Sequence, residues 1–108
     1  GVLTVDDNGA YGAGQQAVAV TPGASYRLSG IIYTDGTAGQ VAVLGIKQGD
    51  RETRAELSDL QDPTPGYQGT APFEASFEFT ATQSFVTVKL VSVSDNNSYF
   101  ENVTLIPT

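Results

Sequence analysis

The side chains of this sequence that could do chemistry are carboxylates, hydroxyls and a few cations, because it contains no histidine and no cysteine. An imidazole base, a thiolate nucleophile and soft metal ligands are therefore excluded. Glu74 and Glu78 lie four residues apart on one alternating segment, a spacing typical of a solvated strand face and not of a glycosidase acid and base. The serines have no histidine partner and no nucleophile-elbow motif, so we predict that the chain is not an enzyme.

A glycine motif from Gly12 to Ala17 matches the G-x-G-x-x-A pattern of dinucleotide-binding proteins. A phosphate-binding loop of that kind opens a helix whose N-terminus faces the pyrophosphate. Here the motif continues into the alternating segment Gln15 to Val20 and a Pro22-Gly23 turn. The context indicates a loop that enters a strand.

The charged residues are unevenly distributed. Twelve acidic and five basic residues give a net charge of −7, which argues against nucleic acid as a partner. Residues 27–54 nevertheless carry a local charge of +1, while the rest of the chain carries −8. Four of the five cations therefore lie close together in sequence, and we predict a binding role for them: Arg27, Lys47, Arg51 and Arg54. No apolar run approaches the roughly 20 residues of a membrane span, so no membrane partner is expected.

The elements that must position these side chains are short strands, because apolar and polar residues alternate with a period of two. Turn residues recur about every ten residues, which favours an all-β fold, an antiparallel β-sandwich or jelly roll of two sheets. The length fits a single domain over residues 1–108. Residues 51–57 form either a strand or a short helix, and residues 61–72 form a loop. The other predicted strands are 15–20, 25–34, 40–47, 73–80, 85–93 and 99–106.

Alternation also assigns the cations to faces of these strands. Arg27 shares a face with Ile31 and Tyr33, Lys47 shares one with Val43, and Lys89 shares one with Thr87 and Val91. Each is the face opposite the predicted core. If the three strands belong to one sheet, the cations and Tyr33 converge on one surface.

Three stretches resemble the β-sandwich carbohydrate-binding modules of families 4, 9, 16 and 22. Residues 16–30, QAVAVTPGASYRLSG, resemble their Q-x-V-x-V-x-P-G-x-x-Y-x-L-S-G passage. Residues 43–47, VLGIK, resemble the V-x-L-G-V-K strand that follows. Residues 77–80, FEFT, and 99–105, YFENVTL, resemble the later t-F-t strand and the y-F-D-x-V-x-L close.

The resemblance implies a noncatalytic polysaccharide-binding module attached to the catalytic domain of a secreted enzyme. Its ligand would lie across a concave sheet, to which the strands of Arg27 to Tyr33 and of Val43 to Lys47 would contribute, or over loops at one edge. A structural calcium ion is common in such modules, and Glu101 stands where their closing motif has a ligating Asp. Oxygen-rich clusters at residues 6–9 and 95–97 also contain the atoms that calcium accepts, although turns require the same residue types.

The ligand prediction depends on which side chains could meet a sugar. Because the chain has no tryptophan, tyrosine must supply any aromatic ring that stacks on a sugar. The candidates are Tyr33 on a sheet and Tyr11 and Tyr67 in loops, whereas Tyr26 is expected in the core. The clustered cations favour an acidic polysaccharide such as alginate or pectin. One alternative ligand is a neutral β-glucan or xylan. A second alternative function is a structural spacer domain that binds no ligand. The chain is expected to be a monomer. The predicted binding residues are Arg27, Tyr33, Lys47, Arg51, Arg54, Tyr67 and Lys89.

Overall fold

The computed structural model describes residues 2–6, 11–49, 60, 62–94 and 96–108. In these ranges the regular elements are eight β-strands. Their bounds are β1 Val2–Asp6, β2 Tyr11–Ala19, β3 Ser25–Thr34, β4 Val41–Gln48, β5 Asp62–Pro63, β6 Phe73–Thr80, β7 Phe85–Val93 and β8 Asn97–Pro107. No helix in the described ranges is long and apolar enough to cross a membrane.

The strands form two four-stranded antiparallel sheets. Sheet A has the order β1-β8-β3-β6, and sheet B has the order β2-β7-β4-β5. The prediction of an all-β sandwich of two antiparallel sheets is confirmed. The glycine motif lies within β2, paired along its length with β7, so it is part of a strand and not a loop. The predicted segment 51–57 lies outside the described residues.

The core lies between the sheets and is built from the alternating side chains that the sequence assigned to it. β3 contributes Leu28 and Ile32, and the facing β4 contributes Leu44 and Ile46, all fully buried. Every second residue of a strand points to the same face, so the same alternation sends Arg27, Ser29, Ile31 and Tyr33 to the outside of sheet A.

Sheet B departs from simple alternation, because its strands β4 and β7 are buried on both faces. Val43 and Val91 lie on the outer face, yet they are buried in a small apolar cluster with Leu60. A Cβ atom at Gly45 would lie 3.0 Å from Leu60 Cδ1 and 3.2 Å from Pro63 Cα, so glycine is the residue that allows this segment to pack so closely. The outer face of sheet B is therefore covered at its centre.

The loop predicted for residues 61–72 carries more structure than expected. Residues 62–63 pair with β4 at Ile46 and Gly45, and Tyr67 forms an isolated bridge with Ala42. This segment thus runs antiparallel to β4 and completes the edge of sheet B. Proline and glycine signalled a loop correctly over most of its length, but they do not exclude short pairing at a sheet edge.

Candidate functional site

The outer face of sheet A is organised in rows across its strands. Ile31 on β3 pairs with Glu74 of β6 on one side and with Glu101 of β8 on the other. Ser29 pairs in the same way with Ser76 and Thr104. At the end of the face, Tyr33 pairs with Tyr99. These rows place aromatic, hydroxyl and carboxylate groups side by side on one surface.

The aromatic row is a stacked pair. The ring centroids of Tyr33 and Tyr99 are 4.9 Å apart and their planes differ by 18°. Both side chains are half-buried. Desolvation, together with the nearby Glu101 carboxylate, raises the pKa of Tyr33 above its usual value. The pair therefore places two aromatic rings and a carboxylate side by side on this face.

Asp35 holds the ends of the two strands that carry this pair. Its carboxylate accepts hydrogen bonds from the backbone N–H groups of Thr37, at 2.9 Å, and Asn97, at 3.2 Å. These bonds lower the pKa of Asp35. The Asp35 N–H in turn donates to the Asn97 carbonyl. The end of β3 is thus tied to the start of β8, which fixes the register in which Tyr33 meets Tyr99.

The opposite end of the face contains its cation. Arg27 donates to Glu78 Oε1 at 2.7 Å, and both side chains are about half exposed. Tyr33 is six residues further along β3, roughly 20 Å away at about 3.3 Å per residue. The guanidinium is therefore already paired and lies far from the tyrosines. The glutamates of β6, Glu74 and Glu78, are exposed as expected of a solvated strand face.

The predicted convergence of cations on one surface is wrong. Arg27 and Tyr33 belong to sheet A, whereas Lys47 and Lys89 belong to sheet B, so they lie on opposite sides of the sandwich. For the same reason β3 and β4 do not contribute to one concave sheet. The condition on which the convergence depended, that the three strands share a sheet, is not met.

The two lysines of sheet B also differ in their exposure to solvent. Lys89 is on the face opposite the core, as alternation predicted, but it is fully buried and not open to solvent. Lys47, near the end of β4, is half-buried. The remaining predicted binding cations, Arg51 and Arg54, lie outside the described residues.

Tyr67 is held by its own surroundings. Its hydroxyl donates to the Ala71 carbonyl at 2.6 Å, and its ring stacks on Phe73 with centroids 4.9 Å apart. Tyr67 also packs against the core from the sheet edge. Tyr26 packs against the core as predicted, and its hydroxyl accepts a hydrogen bond from the Thr21 N–H. The predicted loop residue Tyr11 lies in β2, opposite Val93.

Glu101, the predicted metal ligand, contacts Tyr33. In the part of the chain that the structure describes, no three acidic side chains come close enough together to hold a metal ion. Asp7, Asn8, Gly9 and Asp95 of the oxygen-rich clusters lie outside that part.

Tyr99 is the site residue that sequence reasoning missed. The sequence placed it at the start of the last strand and in the closing motif of the resemblance, without a role in binding. Its partnership with Tyr33 depends on the register of β8 against β3. The alternation of side chains predicts that Tyr99 and Glu101 share a face of β8, but it does not predict the register of β8 against β3.

Comparisons with known proteins concern the fold. Neither the scan against protein-family models nor the search of curated proteins gives a match. Among solved structures, this chain is similar to the CBM22-1–GH10 modules of a Clostridium thermocellum endo-1,4-β-D-xylanase, which were solved in complex with xylohexaose. The match has a TM-score of 0.61 and 20% sequence identity and covers 82% of this chain. A CBM4 structure matches with a TM-score of 0.60 and 18% identity over 99% of this chain and 70% of its own.

A tailspike is also similar in structure. The enzymatically active domain of tailspike protein 4 of bacteriophage CBA120 matches with a TM-score of 0.62 and 17% identity over 99% of this chain. This chain spans 15% of the tailspike chain and 17% of the xylanase chain. The fold is therefore the β-sandwich found in carbohydrate-binding modules, which confirms the predicted resemblance at the level of fold.

Proposed function

We propose that this chain is a noncatalytic polysaccharide-binding module that holds a glycan against the outer face of sheet A. The observation that carries the proposal is the stacked Tyr33–Tyr99 pair, which lies on the outside of a fold shared with carbohydrate-binding modules. An aromatic surface suits the apolar C–H face of a pyranose. Glu101 beside it supplies acceptors for sugar hydroxyl groups.

Sheet A is the better candidate because sheet B does not offer an open surface at its centre. Val43, Lys89 and Val91 on the outer side of sheet B are buried, and Leu60 packs over part of it. On sheet A the strands β3, β6 and β8 keep exposed or half-buried side chains along the whole outer face.

The charge of this face favours a neutral polymer of the xylan or β-glucan class. It carries the carboxylates of Glu74, Glu78 and Glu101 against the guanidinium of Arg27, which is paired with Glu78. An anionic chain along this face would meet like charges near the tyrosines. The acidic polymers predicted from the sequence, alginate and pectin, stay a prediction that rests on Arg27, Lys47, Arg51, Arg54 and Lys89.

Affinity electrophoresis on gels that contain xylan, laminarin, alginate, pectin or no polymer tests the proposal. We expect retardation on a neutral polymer. Raising the salt from about 0.1 M to about 1 M shortens the screening length from ~10 Å to ~3 Å and should leave that retardation unchanged. Retardation by alginate or pectin that disappears in salt would instead support the acidic ligand. Equal migration on all gels would support the structural spacer.

The noncatalytic part of the proposal has its own assay. Incubation with each polymer should release no new reducing ends. Release that is lost in Glu74→Gln or Glu101→Gln would overturn it, because these carboxylates flank Ile31 on one face. We also propose that the module is extracellular and is attached to the catalytic domain of a parent enzyme.

A further inference from the structure

A loop formed by residues 68–70 lies beside Tyr33, on the side of β3 that is opposite β8. The Thr34 N–H donates to the Gly69 carbonyl at 2.8 Å, whereas the next N–H along the chain, that of Asp35, donates to β8. Successive N–H groups of an extended chain point to opposite sides. The peptide unit that joins Tyr33 to Thr34 therefore lies between β8 and this loop.

A buried hydroxyl joins the loop to the turn that follows β3. Thr34 is only 2% exposed, and its hydroxyl donates to the carbonyls of Gln68, at 3.0 Å, and Gly69, at 3.2 Å. The same oxygen accepts a hydrogen bond from the Gly36 N–H at 3.1 Å. A hydroxyl can donate and accept at once, so this single group holds the loop and the turn together.

The loop also packs closely against that turn. A Cβ atom at Gly36 would lie 2.7 Å from Thr70 Cγ2, and Gly36 has a φ of +86°, so glycine is the residue that allows Thr70 to approach here. Next to the loop, the Tyr67 hydroxyl donates to the Ala71 carbonyl at 2.6 Å. Residues 68–70 are thus fixed before a ligand arrives, which lowers the entropic cost of binding to them.

The loop adds hydrogen-bond donors to a site whose charged groups only accept. Beside Tyr33 the outer face of sheet A carries the Glu101 carboxylate, and its guanidinium lies roughly 20 Å away. In the loop, the side chains of Gln68 and Thr70 are exposed, and the N–H groups of residues 68–70 donate to no described residue. A sugar hydroxyl both donates and accepts, so a glycan needs donors as well as acceptors from its site.

We propose that residues 68–70 form the specificity-determining edge of the glycan site and that Thr34 positions them. This inference rests on the proposed function, because it assigns a second set of contacts to the same neutral glycan. The sugar unit beside Tyr33 places its hydroxyl oxygens against the N–H groups of the loop and the side chains of Gln68 and Thr70. The loop thus selects glycans by the positions of their hydroxyl groups, whereas an aromatic ring accepts the C–H face of any pyranose.

NMR of the labelled 108-residue chain tests the contact, with xylohexaose and laminarihexaose as separate probes. We expect saturable shifts at Tyr33 and at the amides of residues 68–70, and slower hydrogen exchange of these amides in the complex. Shifts at Tyr33 and Tyr99 without any at residues 68–70 would overturn the role of the loop and leave the tyrosine site in place. The absence of binding to either probe would overturn the role of the loop and the proposed function together.

Threonine variants test how the loop is held. Thr34→Val keeps the shape of the side chain but removes the hydroxyl, so it should weaken binding of the hexasaccharide about threefold or more. Thr34→Ser keeps the hydroxyl and should bind like the parent. Thr64→Val is the matched control, because Thr64 is also buried and its hydroxyl accepts the Leu44 N–H at 3.1 Å on sheet B.

An exposed variant tests the contact without touching the buried hydroxyl. Thr70→Val keeps the methyl group that packs on Gly36 and removes the hydroxyl, so it should also weaken binding about threefold. Melting temperatures show which variants fold. The proposal is overturned if Thr70→Val binds normally, if a folded Thr34→Val binds normally, if Thr34→Ser binds as weakly as Thr34→Val, or if Thr64→Val weakens binding equally.

Discussion

At the scale of single residues, the proposed glycan site depends on how Tyr33 is held. Its ring stacks on Tyr99, and the Glu101 carboxylate lies beside it, so the two rings restrict each other's rotamers. A platform that is fixed before binding loses less side-chain freedom when a ligand arrives. The stacked pair would therefore lower the entropic cost of binding a glycan.

The contact between Tyr33 and Glu101 has a titration signature. Desolvation and the Glu101 carboxylate raise the pKa of Tyr33, so Glu101→Gln should lower it toward about 10 by removing the charge. A raised pKa in the folded state means that this contribution to stability is full below about pH 10 and is lost as the pH rises through the folded value. The difference in tyrosinate absorbance between the parent and Tyr33→Phe isolates this residue. Identical titration curves with and without Glu101 would contradict the contact.

At the scale of elements, a buried polar cluster joins the loop before β4 to the turn between β7 and β8. The Gln40 amide donates to Ser92 Oγ at 2.6 Å and to Ser98 Oγ at 2.8 Å, and its oxygen accepts from the Asn96 N–H at 3.1 Å. Gln40 is fully buried. Together with Asp35, this cluster fixes where β8 begins, and hence the position of Tyr99.

Replacing Gln40 with leucine should destabilise the fold. The Ser92 and Ser98 hydroxyls remain bonded to each other at 2.9 Å, but the Asn96 N–H loses its partner. We expect a loss of about 1–3 kcal/mol in the free energy of unfolding, measured by urea denaturation. Gln68→Leu, at an exposed position, is the matched control and should change it by less than about 0.5 kcal/mol. Equal effects of the two substitutions would mean that the cluster contributes nothing specific.

Much of the fold at this scale could be predicted from sequence. Alternation identified the strand faces, and it assigned Leu28, Ile32 and Arg27 to the correct sides of β3. It could not predict which strands share a sheet, because pairing between distant strands depends on the path of the whole chain. It also could not predict the burial of Lys89, since a strand covered on both faces still alternates in sequence.

At the scale of the whole molecule, the two sheets divide the charges that are close in sequence. Arg27 lies on sheet A and Lys47 on sheet B, although only twenty positions separate them. Of the four cations that are close in sequence, the two that the structure describes therefore lie on different sheets. The net charge of −7 still argues against polyanions over most of the surface.

The calcium ion predicted from the resemblance stays a prediction at this scale. An ion that binds only the folded state stabilises it by mass action, so a chelator should lower the melting temperature and added calcium should restore it. Magnesium added at the same concentration controls for ionic strength. A melting temperature that is unchanged by the chelator would contradict the prediction.

The most direct test of the central claim is the affinity of the Tyr33→Ala/Tyr99→Ala double variant for the neutral polymer that retards the parent chain. Phe73→Ala is the control, because Phe73 is an exposed aromatic residue that pairs with the inward-facing Ile32 and so lies off the outer face. We predict a loss of about tenfold or more, about 1.4 kcal/mol, in the double variant and little change in the control. Unchanged affinity in a folded double variant would contradict the assignment of this face as the binding site.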